Sequence, residues 1–148
     1  MVVAMAAGGV LAEDFDAFYV GSSVGAFMPD GAARPRNATQ VAARAGWYSS
    51  DTLAWEASLG SNLRGKAGNV AAGSLGLLWH WWGFERFDPF FTCGIGFARR
   101  SFGPGGGVGA FWHMTERASL RFGYGMVLDA ADGCAPLHSI EAGIQFSF

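Results

Sequence analysis

From Phe18 onward, large apolar residues recur at every second position, with glycine, serine or a few polar residues between them. Period two is the mark of a β-strand with two unlike faces. Eight segments carry it, each with a bulky face opposed to a small or polar one. Residues 17–28 set Phe18, Val20, Val24, Ala26 and Met28 against Gly21, Ser23 and Gly25. Residues 40–48 set Val41, Ala43, Ala45 and Trp47 against Arg44 and Gly46; this run is the weakest, and without it the count is seven. Residues 53–63 set Leu53, Trp55, Ala57, Leu59 and Leu63 against Glu56, Ser58, Gly60 and Asn62. Residues 69–81 set Leu75, Leu77, Trp79 and Trp81 against Ser74, Gly76 and His80. Residues 89–99 set Phe91, Cys93, Ile95 and Phe97 against Thr92, Gly94 and Gly96. Residues 106–114 set Val108, Ala110, Trp112 and Met114 against Gly107, Gly109 and His113. Residues 118–128 set Ala118, Leu120, Phe122, Tyr124, Met126 and Leu128 against Ser119, Arg121, Gly123 and Gly125. Residues 138–148 set Ile140, Ala142, Ile144, Phe146 and Phe148 against Ser139, Glu141, Gly143, Gln145 and Ser147.

The small face is too poor in charge to make a good solvated surface, so the usual inside-out assignment of a soluble β-sandwich fails. It suits the lumen of a narrow barrel, because eight strands leave room only for their own side chains. The bulky face then meets lipid, and the sheet must close, since open strand edges are not tolerated in hydrocarbon. The expected fold is all-β: an eight-stranded antiparallel up-and-down transmembrane β-barrel. The linkers 29–39, 64–68, 100–105 and 129–136 are rich in Gly, Pro, Arg and Asp, while 49–52, 82–88 and 115–117 are mostly shorter. Longer loops at one end and short turns at the other fit an outer-membrane barrel. All six tryptophans, Trp47, Trp55, Trp79, Trp81, Trp82 and Trp112, fall near the short-turn end, as do Phe18, Tyr19, Phe90, Phe91, Phe146 and Phe148. Such a girdle belongs at a membrane interface.

Composition adds three constraints. Charged residues are only 15% of the chain and hydrophobic ones 51%, which excludes a disordered chain, and no basic stripe suggests nucleic acid. Residues 1–12, M-V-V-A-M-A-A-G-G-V-L-A, are too short for a transmembrane helix and read as a secretory signal peptide, leaving 13–148 as the barrel domain. Cys93 lies mid-strand and Cys134 in a Gly/Asp-rich loop, at different heights, so no disulfide is expected between them.

The stretches F-Y-V-G-S-S-V-G-A-F, R-A-G-W-Y-S-S-D-T-L-A-W-E-A-S-L-G, D-P-F-F-T-C-G-I-G-F-A and T-E-R-A-S-L-R-F-G-Y-G resemble the small outer-membrane β-barrel family, the group of the OmpA transmembrane domain and OmpX. The close, H-S-I-E-A-G-I-Q-F-S-F, looks like that family's assembly signal, with Ile144, Phe146 and Phe148 at alternate positions. The resemblance implies a bacterial outer-membrane location and recognition by the β-barrel assembly machinery and periplasmic chaperones.

The candidate chemistry is sparse. Arg44, Glu56, Arg121 and Glu141 point inward, and buried charges must be paired, so an ion-pair cluster plugging the lumen is expected. Arg34, Arg36, Arg64, Lys66, Arg99 and Arg100 form a basic rim in the predicted outer loops, suited to lipopolysaccharide phosphates. His138, Ser139 and Glu141 look like hydrolase parts, but adjacent strand residues face opposite ways, so His138 and Ser139 cannot pair. His80 and His113 point inward near the short-turn end and lack metal-ligand spacing. The Gly-rich run 101–109 lacks the Lys-Ser/Thr of a phosphate loop and reads as a loop leading into a strand. The expected protein is a monomeric, non-enzymatic barrel without cofactor or metal, structural or surface-interacting in envelope integrity or adhesion. A narrow porin and a lipid A-modifying enzyme are the alternatives.

Overall fold

The computed structural model describes residues 18–29, 38–64, 71–81, 86–98, 101–129 and 135–148. The strands are β1 (Phe18–Pro29), β2 (Ala38–Ser50), β3 (Leu53–Arg64), β4 (Ala71–His80), β5 (Phe87–Ala98), β6 (Ser101–His113), β7 (Ala118–Asp129) and β8 (Ala135–Ser147). Each pairs antiparallel with its sequence neighbour, and β8 returns to β1, closing the barrel. The 40–48 segment, the weakest in alternation, is a full strand of 13 residues. Residues 1–12, Trp82 and Cys134 lie outside the described residues.

The register gives the stagger. Stepping across the pairs from Tyr19 leads through Gly46, Glu56, Gly76, Gly94, Gly105, Val127 and Leu137, and returns to β1 at Pro29, ten residues further along. Closure with that shear tilts the strands by about 40° and leaves a lumen that side chains can fill.

Several boundaries differ from expectation, that of β6 the most. Residues 101–105 are strand, not loop: β5 and β6 stay paired up to Ala98 and Ser101. The β6–β7 ladder begins only at Gly105, so Pro104 sits where β6 is bonded on one side and its missing N–H costs nothing. Pro89 lies one residue below the last β4 pair at Phe90, and its carbonyl still accepts from the Trp81 N–H at 2.9 Å. The connection between β5 and β6 therefore shrinks to 99–100, and the contrast in length between the two ends is smaller than the sequence suggests.

Exposure decides which face is out. Leu59 and Leu75 are 62% and 61% exposed, whereas Tyr19 and Leu78 are 0% exposed. Trp47, Trp55, Trp79, Trp81 and Trp112 all stand outward near the turn end, with Phe18, Phe87, Phe146 and Phe148 beside them. Trp79 stacks on Trp81 at 6.5 Å, and Trp81 packs on Phe91 at 5.0 Å. Tyr19 and Phe90 share that height but face the lumen, where they form a compact layer with Ala54, Leu78 and Phe111. A dry core therefore exists, inside the sheet and not between two sheets. Cys93 stands on the outer face and is exposed.

Candidate functional site: the charged lumen

Four strands bring Arg44, Glu56, Arg121 and Glu141 together above the aromatic layer. Arg121 grips Glu56 with two prongs: Nη2 donates to Oε1 at 2.9 Å, and Nη1 donates to Oε2. Arg44 Nη1 donates to the same Oε1 at 3.3 Å. Its Nη2 reaches Glu141 Oε2 and, at 3.0 Å, Ser23 Oγ. Arg121 Nε lies 3.6 Å from Glu141 Oε1, which closes a ring of alternating charge: Arg121, Glu56, Arg44, Glu141. The ring is neutral overall, so it needs no counterion. Three of its side chains are 4–7% exposed and Glu141 is 20% exposed.

The surroundings hold the ring in place. Tyr19 Oη donates to Glu56 Oε2 at 2.8 Å, and Ser23 Oγ donates to Glu141 Oε2 at 3.2 Å. The Arg121 guanidinium sits over the Phe90 ring at 4.5 Å and near Phe111 at 5.4 Å, where the ring faces attract a cation. Tyr19, Ser23, Phe90 and Phe111 are parts of the cluster that sequence reasoning missed. The signal was strand parity: Tyr19 shares a face with Gly21 and Ser23, and Phe111 shares one with Gly109 and His113.

A second polar group lies below the aromatic layer, at the turn end. His80 Nδ1 bonds Asp88 Oδ2, and His113 Nε2 approaches the same oxygen at 3.7 Å. His113 Nδ1 meets Ser119 Oγ at 2.7 Å. Both imidazoles stack on Phe111, at 5.6 and 6.4 Å. His80 and His113 are inward as expected. Asp88 was hidden in the presumed connection 82–88, because β5 begins earlier than its alternation shows. Among the described residues, no three His, Cys, Asp or Glu side chains are arranged to hold a metal ion.

The other candidates separate. His138 faces outward and bonds Tyr124 Oη at 2.6 Å, while Ser139 faces the lumen and donates to Gly125 O at 3.4 Å, so they do not meet. Of the basic rim, Arg34, Arg36, Lys66, Arg99 and Arg100 lie outside the described residues, and Arg64 ends β3. Phe146 and Phe148 face outward, and the Phe148 N–H donates to Phe18 O at 2.9 Å, tying the C-terminus to the first strand. On the other side of the ring, toward the loop end, is a cavity of about 150 Å³ edged by Ser58, Ser74, Thr92 and Ser139. Ser58 and Ser74 bond each other there at 2.7 Å.

A closed barrel with its charges inside and its tryptophans outside has one stable home. The fold is that of the small eight-stranded transmembrane β-barrels. The barrel matches neisserial surface protein A with a TM-score of 0.72 at 13% identity, over 89% of this chain and 97% of that one. It matches the N-terminal barrel domain of Pseudomonas aeruginosa OprF with a TM-score of 0.68 at 13% identity, over 88% and 97%. The outer-membrane enzyme PagL shares the fold with a TM-score of 0.55 at 15% identity, over 88% and 99%. No family model and no curated protein sequence matches the chain.

Proposed function

We propose that the barrel resides in a bacterial outer membrane, turn end toward the periplasm, as a plugged structural or surface-interacting protein. The observation that carries this reading is the filled lumen. A neutral charge ring and a buried aromatic layer lie across it in series, their side chains within hydrogen-bonding and stacking distance of one another. The similarity to a neisserial surface protein supports display at the cell surface. Lipopolysaccharide, the assembly machinery and periplasmic chaperones are its proposed partners, and it acts as a monomer without enzymatic activity. Planar-bilayer recording tests the plug: silence is expected, and steady large openings would establish the narrow porin instead.

PagL favours a second reading, lipid A modification, because an enzyme is built on the same barrel. Against it, His138 and Ser139 face opposite sides of the wall. Mass spectrometry of lipid A from cells with and without the protein decides; identical spectra remove the enzyme.

A further inference from the structure

The outer face carries a shallow groove that crosses four strands. One cross-strand row runs Val24, Ala142, Phe122, Ala110, and the next runs Ala26, Ile140, Tyr124, Val108. Small and large side chains alternate in the first row, and in the second Ala26 stands beside the larger Ile140, Tyr124 and Val108. The alanine methyls make the floor, and Val24, Phe122 and Ile140, each about half exposed, stand up as walls. Toward the loop end the character changes. There Tyr124 Oη and His138 Nδ1 bond at 2.6 Å on the lipid-facing surface, with their rings stacked at 5.9 Å.

The groove is thus apolar along its length and polar at the end nearer the loops. A membrane lipid has the same order, read from tail to head. The groove is also continuous with the belt of exposed Leu, Ile, Phe and Trp that meets the bilayer, so its occupant comes from the bilayer and not from water. A flexible hydrocarbon chain lying on a floor of methyls between fixed walls gains contacts on three sides, where a flat wall offers one. We propose that this groove seats one acyl chain of an outer-leaflet lipid, with the lipid's polar head against the Tyr124–His138 pair. The proposal rests on the membrane location argued above.

The test uses the full barrel refolded into dimyristoyl phosphatidylcholine vesicles, extracted into mild detergent and weighed by native mass spectrometry. Wild type should carry one retained lipid. Ala142→Phe and Ala110→Phe, which fill the floor from the outside, should each lower that fraction at least fivefold. Ala57→Phe, an exposed alanine on β3, should leave it unchanged. All four proteins should keep heat-modifiable migration in gels. Folded barrels with equal retention in wild type and Ala142→Phe overturn the seat alone, as does a dimer that Ala142→Phe abolishes, since the face then belongs to a second copy. Wild type without heat-modifiable migration overturns the membrane reading and the seat with it.

Discussion

The ring of Tyr19 lies over Gly46, its direct partner on the neighbouring strand, and a methyl group on Gly46 would collide with it. That overlap lets the phenol reach over β2 to Glu56 on β3, the other cross-strand partner of Gly46, at 2.8 Å. Phe90 and Gly109 repeat the arrangement on β5 and β6. A bulky lumenal ring over a cross-strand glycine is how a narrow barrel fits an aromatic layer without splaying its strands.

Gly46→Ala should therefore destabilise the barrel by about 1–3 kcal/mol, through overpacking and a strained or broken Tyr19–Glu56 bond. Urea titration of the folded gel band in micelles measures it. Gly125→Ala faces only the Ser139 hydroxyl and a distant carbonyl, and should cost less. Equal losses at the two sites would refute the ring-over-glycine account.

Within the charge ring, Arg121→Met takes both prongs from Glu56, leaves it only Arg44 and the Tyr19 hydroxyl, and puts one carboxylate in excess, which should cost up to about 3–5 kcal/mol. Glu141→Gln should cost less, because Glu141 keeps partial access to solvent. The double variant Arg121→Met with Glu56→Gln should lose less than the sum of the singles, since neither charge is then left alone. A double-mutant cycle in urea gives the coupling, and strict additivity would remove the ring as a unit.

The aromatic layer and the charge ring lie in series, so opening one leaves the other. Arg44→Ala alone should leave planar bilayers silent. Tyr19→Ala combined with Phe90→Ala, Phe111→Ala and Arg44→Ala should produce measurable single-channel steps. Steps from Arg44→Ala alone would place the whole seal in the ion pairs.

Deleting Phe148 removes one backbone bond to Phe18, worth about 0.5–1.5 kcal/mol, so the purified barrel should lose little stability. The proposed assembly signal would suffer far more. The expected result is a several-fold drop of folded protein in outer-membrane fractions with nearly unchanged refolding in vitro. Equal losses in both would reduce Phe148 to a structural clasp.

Much of the barrel was legible from alternation alone. Side chains on successive strand residues point to opposite faces, so a strict period of two reports strand, face and extent together. The boundaries erred where that signal lapses. Gly103 and Gly105 carry no side chain to alternate, and Pro104 reads as a breaker until its one-sided ladder is known. Asp88 was missed for a similar reason: Pro89 follows it and masks the start of β5. The four inward charges could be named because charge on a lipid-facing wall is improbable. Their partners Tyr19 and Phe90 escaped notice because an aromatic residue suits either the interface or the lumen.

The sequence by itself determined the strands, their two faces, and that the wall must close on itself in lipid, because each follows from local periodicity and the cost of unpaired backbone. Which glycine lies under which ring, and the order Arg121, Glu56, Arg44, Glu141 around the lumen, came only with the tertiary structure. Those relations depend on the stagger of ten residues accumulated over eight pairings, and no single segment carries that sum.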